Sequence, residues 1–274
     1  TKAALRADVA IVCVGNHPYG TDARWKISPV PSDGREAVDR KALSLEQEDL
    51  VKVVMQANPK TVMVLVSNFP FAINWSQENV PAIVHLTNNS QELGNGLADV
   101  IFGDINPAGR TTQTWVKDIT DLPPMMDYDI RHGRTYQYFK GKPLYPFGFG
   151  LSYTSFEYSN MKTSKPTLTD SILVSVNVKN TGKRDGDEVV QLYVSYPDSK
   201  VERPLKQLKG FKRVFIHAGK TETVQIQLKA SDVAYWNVEK HAFVTEKGKL
   251  KLMIGSSSAD IKMKKELSLI PKGE

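Results

Sequence analysis

The sequence predicts an α/β domain followed by a small all-β sandwich. In the first 117 residues, Val-rich apolar runs alternate with helix-like segments, which is the pattern of a parallel sheet covered by helices. Beyond residue 152 the apolar side chains recur at every second position, in short segments separated by turn residues. A chain of 274 residues is long enough for two such domains.

Uninterrupted apolar runs predict the strands of the first part. DVAIVCVGN and TVMVLVSN indicate two strands that are buried on both faces, and AIVHLTNN predicts a third. Cys13 lies inside the first run, where we expect a buried structural thiol, because reactive thiols need exposure and positively charged neighbours. A single cysteine also excludes an internal disulfide.

Helix-like segments connect these strands. In SLEQEDLVKVVMQAN, Ser44 and Gln47 have the spacing of a capping box, and Leu50, Val53 and Val54 form the expected apolar stripe. SQELGNGLADVIFG predicts a second helix, whose two glycines weaken it but permit close backbone approach. Residues 1–117 are therefore expected to form the α/β domain.

The rest of the chain is expected to contain a connector and the β-sandwich. Residues 118–152 show no sustained period and include DLPPMM, HGRTY and YPFGFG, so they predict an irregular connector. Residues 153–274 predict the sandwich, with strands at SILVSVNVKNTG, EVVQLYVSYP, FKRVFI, TETVQIQLK and KLKLMIG.

Positive charge is concentrated in the second part of the chain. Residues 1–150 carry 15 Lys and Arg against 16 Asp and Glu, whereas residues 151–274 carry 21 against 14. The lysines lie among strand-like segments without a nucleic-acid motif, so solvated strand faces are favoured over a domain that binds anionic polymers. No run approaches the roughly 18 apolar residues of a membrane span. We expect neither a nucleic-acid nor a membrane partner.

Common cofactor and metal motifs are missing from the sequence. It contains no G-x-G-x-x-G, Walker loop, H-E-x-x-H or paired C-x-x-C, so we expect no cofactor and no metal site. GFGLS resembles the G-x-S-x-G nucleophile pattern, but Ser152 comes two residues late and follows a Pro-rich connector instead of a strand.

PSDGREAVDR places Glu36 in a loop that follows the first predicted strand. In an open α/β sheet, ligands usually bind at the edge formed by the carboxyl ends of the strands, which is where this loop is expected to begin. A carboxyl group there can serve as a general acid if its pKa is raised. The neighbouring acids Asp33 and Asp39 would raise the pKa of Glu36, whereas the neighbouring bases Arg35 and Arg40 would lower it. The residues alone leave two interpretations open, a catalytic acid and a solvated loop acid.

Five ordered blocks resemble the C-terminal half of family 3 glycoside hydrolases, the β-glucosidases and β-xylosidases. They are EAVDRKALSLEQEDLV, TVMVLVSNFPFAINW, LADVIFGDINPAGRTTQTW, GRTYQYFKGKPLYPFGFGLSYTSF, and VKNTGKRDGDEVVQLYV with RPLKQLKGFKRV. The resemblance runs through nearly the whole chain. It implies an α/β sandwich domain, incomplete at its N-terminus and mostly parallel, followed by a fibronectin type III-like or immunoglobulin-like sandwich.

The resemblance also implies roles for residues of the Glu36 loop. In the family, the acid/base loop typically reads Glu-x-x-Asp-Arg before a Leu-rich helix start, a pattern that falls here on Glu36, Asp39 and Arg40. Glu36 is therefore the implied general acid/base, with Asp39 and Arg40 in support. Asp33 is the main rival, because this loop varies in length and sequence across the family.

Other polar and aromatic residues have two interpretations each. His17, Tyr19 and Trp25 are candidates for the aglycone side of the substrate, since aromatic faces stack on sugar rings, but loop packing is an equally simple role. A second set in the connector either lines the cleft or forms a structural tie, namely Asp129, Arg131 and Arg134. The tryptophans outside the loop are assigned to packing, namely Trp75, Trp115 and Trp236.

The function implied by the resemblance is that of a retaining, exo-acting β-glycosidase for terminal β-D-glucose or β-D-xylose. In the family an N-terminal (β/α)8 barrel carries the aspartate nucleophile, so we expect that barrel as the partner, a β-glycoside as substrate and no activity from this chain alone. Without the barrel we expect self-association into a homo-oligomer. Family resemblance alone places the enzyme in the periplasm or outside the cell. The alternative is a non-catalytic module for protein or carbohydrate interaction, which has no need of Glu36.

Overall fold

The computed structural model describes residues 1–16, 42–88 and 91–271. The chain divides into two compact units. Unit 1 comprises Thr1–Gly96, Thr114–Pro124 and Gly141–Leu144, and unit 2 comprises Leu97–Gln113, Met125–Lys140 and Tyr145–Glu274. Unit 1 contains a parallel sheet with helices and unit 2 contains a β-sandwich, so the predicted fold class is confirmed.

Unit 1 is built on a three-stranded parallel sheet. Its strands, in spatial order, are Ala10–Gly15 (β1), Thr61–Val66 (β2) and Ala82–Leu86 (β3). Helix Glu48–Ala57 (α1) precedes β2, and helix Asn74–Asn79 (α2) precedes β3. Helix Leu93–Phe102 (α3) follows β3 in the chain, and the division between the two units falls within it. Two 3-10 helices lie at Ala4–Arg6 and Ile119–Asp121. The three predicted strands and both predicted helices are present, and α2 was not predicted.

Burial differs between the central strand and the first strand of this sheet. Met63, Val64 and Leu65 of β2 are completely buried, which agrees with burial on both faces. In β1 only alternate residues are buried, and Cys13 is exposed, as is Ile11 at 48%. The expectation of a buried thiol is wrong, because only one face of β1 packs into the core of unit 1 and Cys13 lies on the other.

Helix α1 starts later than its sequence pattern suggested. It begins at Glu48, and Gln47 occupies the N-cap without a side-chain capping bond, so the predicted capping box is wrong. The helix buries Val51 and Val54, whereas Leu50 and Val53 are exposed. Since α1 contacts β1 and β2, the side of the helix that faces the sheet carries Val51 and Val54.

Unit 2 contains two sheets that pack face to face. The five-stranded sheet has the spatial order Thr167–Leu168 (β5), Ile261–Leu269 (β13), Gly248–Gly255 (β12), Gly186–Ser195 (β7) and Gln207–Ile216 (β8). The three-stranded sheet has the order Phe156–Thr163 (β4), Ser171–Asn180 (β6) and Thr221–Lys229 (β9). Tyr235–Asn237 (β10) and Ala242–Val244 (β11) form a separate hairpin. The remaining elements of the unit are helix Thr135–Tyr138 (α4) and 3-10 helices at Ile130–His132 and Ala230–Val233.

The core of the sandwich follows from the alternation of each strand. Among the inward residues, nine that are at most 1% exposed come from β6 (Val174, Val176, Val178), β7 (Val190, Leu192, Val194) and β12 (Leu250, Leu252, Ile254). All neighbouring strands are antiparallel except β5 and β13. The five strands predicted for this part are all present, and β4, β5, β10, β11 and β13 were not among those five.

The outer face of β7 is covered as well. Gln191 Nε2 donates to Gly148 O (3.0 Å) and Ser256 O (2.6 Å), and Tyr136 stacks on Phe147 at 4.4 Å. The YPFGFG segment, residues 145–150, therefore packs against the five-stranded sheet.

None of the helices within the described ranges has both the length and the apolarity needed to cross a lipid bilayer.

Candidate functional site at the carboxyl edge of the parallel sheet

The carboxyl edge of the parallel sheet in unit 1 is the candidate functional site. Parallel strands bring their C-terminal ends to one edge, where ligands usually bind in open α/β sheets. Asn16 follows β1, Ser67 and Asn68 follow β2, and Thr87 and Asn88 follow β3. This edge is therefore polar, although the strands that lead to it are apolar.

Two asparagines of this edge differ in their hydrogen bonding. Asn68 Oδ1 accepts from the backbone N–H of Asn88 (2.9 Å), which joins the ends of β2 and β3. The backbone N–H of Asn16 donates to Val66 O (3.3 Å). Its side-chain Oδ1 is buried and has no hydrogen-bond partner among the described residues. As far as the described residues go, this end of β1 thus keeps a free acceptor.

Ser67 and His85 lie together behind the edge. His85 Nε2 donates to Ser67 O (3.1 Å) and lies 3.2 Å from Ser67 Oγ, and Trp115 packs edge-on against the imidazole at 5.0 Å. Burial lowers the pKa of His85, and the hydrogen bond to Ser67 O opposes that shift. Because Nε2 already carries the proton given to a carbonyl, it cannot also take one from Ser67 Oγ. Ser67 is also completely buried, so the pair is structural and not a nucleophile with its base.

The chain leaves this edge after β1 and returns just before α1. The backbone N–H of Gly15 donates to Gln47 Oε1 at 2.7 Å, although the two residues are 32 positions apart. A Cβ atom at position 15 would lie 2.0 Å from Val66 O, so only glycine fits there. This hydrogen bond joins the end of β1 to the residue just before α1, so it connects the two described positions that flank the segment containing Glu36.

The residues predicted for the active site all lie outside the described ranges. They are His17, Tyr19, Trp25, Asp33, Glu36, Asp39 and Arg40. Their roles therefore stay predictions. The described residues show the two ends of this segment, which are the end of β1 and the residues just before α1, and the hydrogen bond between Gly15 and Gln47 that joins them.

The polar residues of the connector form local ties in unit 2. Arg131 Nε donates to Asp129 Oδ1 (2.8 Å), and a second bond joins Arg131 Nη2 to Asp129 Oδ2. These bonds lower the pKa of Asp129. Arg134 Nε donates to Asp127 O (2.8 Å). Of the two interpretations for this set, the contacts favour a structural tie.

The tryptophans assigned to packing differ in burial. Trp115 is 3% exposed, as expected. Trp236 is 51% exposed and packs against the ring of Phe243 across the β10–β11 hairpin at 5.3 Å, so its packing leaves about half of the side chain exposed. Within the ranges that the structure describes, no three His, Cys, Asp or Glu side chains are grouped to hold a metal ion.

Sequence reasoning missed the asparagines of the strand ends and the long-range role of Gln47. The signal for the former was visible, since each predicted strand runs into asparagine in CVGN, LVSN and LTNN. Gln47 carried no such signal, because its spacing from Ser44 suggested a local cap.

Comparison with known families identifies the chain. The sequence model of the glycosyl hydrolase family 3 C-terminal domain matches residues 1–153, which is more than half of the chain. The chain belongs to glycoside hydrolase family 3. A fibronectin type III-like domain model matches residues 188–258, within the β-sandwich. The resemblance noted from the motifs is confirmed.

Similar family 3 proteins are longer than this chain. A beta-glucosidase of Rhizobium radiobacter is 34% identical over 95% of this chain and 32% of its own length. A xylan 1,4-beta-xylosidase of Xylanibacter ruminicola is 37% identical over 86% of this chain and 27% of its own. The crystal structure of the Kluyveromyces marxianus beta-glucosidase in complex with glucose matches with a TM-score of 0.84 at 34% identity, covering 98% of this chain and 32% of that one. The chain spans about a third of the length of these proteins.

Proposed function

We propose that this chain supplies the acid/base-bearing C-terminal portion of a retaining, exo-acting β-glycosidase. The substrate class is terminal β-D-glucosyl or β-D-xylosyl residues. The observation that carries the proposal is the family 3 match over residues 1–153, which include the Glu36-x-x-Asp39-Arg40 motif. The similarity to both a beta-glucosidase and a beta-xylosidase supports this substrate class without separating the two sugars.

The chemistry requires a second carboxyl group from outside this chain. In a retaining glycosidase two carboxyl groups lie about 5 Å apart. One attacks the anomeric carbon while the other protonates the leaving oxygen, so the glycosidic bond breaks and a glycosyl ester forms. Water then attacks the anomeric carbon, gives its proton back to the acid/base and releases the nucleophile. In the proposed enzyme Glu36 is the acid/base and an N-terminal barrel portion supplies the nucleophile.

The described residues support both the site and the partner. The segment that includes Glu36 departs from the carboxyl edge of the parallel sheet, where a loop on a rigid scaffold can reach a ligand. On β1, Ile11 and Cys13 expose one apolar face to solvent. Exposed apolar faces of this kind favour a covering partner. The isolated chain should therefore bind the barrel portion and should hydrolyse no glycoside without it.

A second candidate function rests on the hairpin of unit 2. Trp236 and Phe243 are 51% and 72% exposed and adjacent on one face of the β10–β11 hairpin. Exposed aromatic rings suit stacking on sugars, which favours a carbohydrate-binding module. Loss of binding to soluble β-glucan by Trp236→Ala, with hydrolysis unaffected by Glu36→Gln, would support this function instead.

The proposed function is tested by Glu36→Gln in the full-length enzyme. Hydrolysis of aryl β-glycosides with poor leaving groups should fall about 10²- to 10⁴-fold, because these substrates need the proton that general acid catalysis supplies. Substrates with activated leaving groups should change least in the glycosylation step. Azide, which needs no general base, should restore turnover where deglycosylation is limiting and should yield a β-glycosyl azide.

Asp33→Asn is the matched control for the loop. It should leave hydrolysis of poor-leaving-group substrates largely intact. If Asp33→Asn abolishes that hydrolysis while Glu36→Gln does not affect it, the acid/base is Asp33 and the assignment of Glu36 is wrong.

A further inference from the structure

We propose that a lysine patch on the outer face of the five-stranded sheet binds an acidic polysaccharide, that is, a polymer with carboxylate groups on successive sugar residues. The patch comes from β12, β13 and the segment just before β8, and consists of Lys206, Lys249, Lys251, Lys262 and Lys264. The inference goes beyond the proposed function, because it concerns unit 2 alone and involves neither Glu36 nor the hydrolytic step.

The alternation of side chains along a strand places the lysines of β12 and β13 on one side of the sheet. The residues of β12 in the sandwich core have even numbers, so Lys249 and Lys251 point outward. The core residues of β13 have odd numbers, so Lys262 and Lys264 also point outward. The register pairs Lys251 with Glu266, which makes Lys264 a diagonal neighbour of Lys251 at roughly 7 to 8 Å between Cα atoms.

Lys206 extends the patch beside Lys264. Its ammonium group donates to Ser258 O at 2.6 Å, in the turn between β12 and β13. Burial and the nearby charge of Lys264 both lower the pKa of Lys206. Two positive charges therefore lie close enough to repel each other, and a bound carboxylate would relieve that repulsion.

The positive charge of the patch is only partly compensated. Lys262 pairs with Asp260 at 2.7 Å. Within the part of the chain that the structure describes, the other four lysines of the patch form no ion pair. The remaining acids nearby are Glu266 on the same face and Asp198, whose carboxylate accepts from the backbone N–H of Lys249 at 3.2 Å. The five lysines thus exceed these three acids.

The sequence favoured solvated strand faces for these lysines, but a solvated face needs no such concentration of charge. The outer face of β6 and β9, in the other sheet, is mostly hydroxyl and amide, with residues that include Ser175, Asn177, Thr223, Gln225 and Gln227. Protection of a sheet edge is no explanation for the lysines of β12 either, since β12 lies between β13 and β7. Positive charge is therefore segregated to one of the two outer faces.

The composition of the patch suits sugar carboxylates better than a polynucleotide. Every cation in it is a lysine, which acts as a point charge, whereas planar bidentate recognition of phosphate uses arginine. β12 and β13 contain no aromatic residue on which a base could stack. Carboxylates on a sugar chain require neither feature. Membership of a glycoside hydrolase family also favours a glycan as the polyanion.

The test measures binding of the purified chain to polygalacturonate at several salt concentrations. The patch variant removes three positive charges and carries Lys249→Gln, Lys251→Gln and Lys264→Gln. The matched control removes three exposed lysines elsewhere in unit 2 and carries Lys179→Gln, Lys220→Gln and Lys229→Gln. Urea midpoints report on the folding of both variants, and Glu266→Gln provides a change in the opposite direction.

The parent chain should bind polygalacturonate with an affinity that falls as salt rises, because lysine contacts release counterions from the polymer. At low salt the patch variant should bind about tenfold or more weakly, since each exposed charge contact contributes at most about fivefold. Its salt dependence should also be shallower. The control variant should stay within about twofold of the parent, and Glu266→Gln should bind more tightly by up to about fivefold.

Equal losses in the patch and control variants would show that net charge alone is responsible and would overturn the proposal. Failure of the parent chain to bind polygalacturonate at low salt would overturn it too. Tighter binding of single-stranded polyuridylate than of polygalacturonate at the same salt concentration, lost in the patch variant, would identify a polynucleotide as the partner instead. None of these measurements involves hydrolysis, so their outcome is separate from that of Glu36→Gln.

Discussion

Arg110 Nη2 lies 3.3 Å from Glu188 Oε2 within unit 2, and the two side chains are only 9% and 4% exposed. Tyr158 completes the cluster by donating its hydroxyl to Glu188 Oε1 at 2.9 Å. The ion pair ties the NPAGR segment to β7. Because both charges are buried, each depends on the other for its compensation.

Arg110→Met should therefore destabilise the protein by about 3 to 5 kcal/mol, since it leaves the Glu188 carboxylate buried and unpaired. Urea unfolding of the purified chain measures the change. The matched control is Arg213→Met, because Arg213 pairs with Asp187 at 2.7 Å but is 62% exposed. Exposed pairs contribute at most about 1 kcal/mol. Equal losses for the two variants would contradict a special role for the buried pair.

Gly148→Ala should lower the free energy of unfolding more than Gly219→Ala does. Both glycines have positive φ, +80° and +75°, where alanine is strained by roughly 1 to 2 kcal/mol. At Gly148 the added Cβ would also lie 2.1 Å from Gln191 Oε1, whereas nothing lies within 4 Å at Gly219. Gln191 cannot move without losing its hydrogen bonds to Gly148 O and Ser256 O. An additional loss of about 1 to 3 kcal/mol at Gly148 is expected, and similar urea midpoints would contradict it.

Stability should decline as the pH rises from about 10 to about 12, in part through Tyr145. Burial raises the pKa of Tyr145 to about 12 from the usual 10.0. In this window the folded protein keeps the phenolic proton while the unfolded chain loses it, so a rise in pH favours unfolding. Tyr145→Phe should make the decline of the unfolding free energy with pH shallower. Tyr128→Phe, which alters a ring that is 79% exposed, controls for the loss of a hydroxyl. An unchanged slope in Tyr145→Phe would argue against the role of burial.

Cys13 should react readily with Ellman's reagent in the folded, isolated chain. Its thiol is exposed on the face of β1 that also carries the half-exposed Ile11. Addition of an N-terminal barrel portion should slow the reaction if that portion covers this face, as proposed. Cys13→Ser removes the signal and serves as the blank. A thiol that is fully protected in a monomeric isolated chain would contradict the exposed face.

Sequence patterns predicted a strand well where the burial of its residues is regular along the strand, either continuous or alternating. β2 and β6 were found because continuous or alternating apolar residues correspond directly to their burial. The same rule overestimated the burial of β1, because a run of apolar residues does not distinguish a strand with two covered faces from one with a single covered face. β4 was missed because FEYSNMKT has few apolar residues, and its pairing shifts register between Ser159 and Lys162.

The candidate site was predictable in its location and less so in its contacts. The carboxyl edge, where the first strand ends, could be anticipated because parallel strands share that edge, whereas the place of the Glu36 loop stays a prediction. The bond between Gly15 and Gln47 could not be anticipated, because local spacing rules carry no information on residues 32 positions apart. Gln47 instead looked like part of a local cap with Ser44.

The position of β13 has a consequence for synthesis of the protein on the ribosome. β13 ends at Leu269 yet lies between β5 and β12, and it contributes Leu267 and Leu269 to the core. The five-stranded sheet can close only after residues up to Leu269 have emerged, whereas the three described strands of the parallel sheet have emerged once Leu86 has. A nascent chain paused ahead of Ile261 would therefore carry β12 with one unpaired edge. That edge would stay open to non-native strand pairing until β13 emerges.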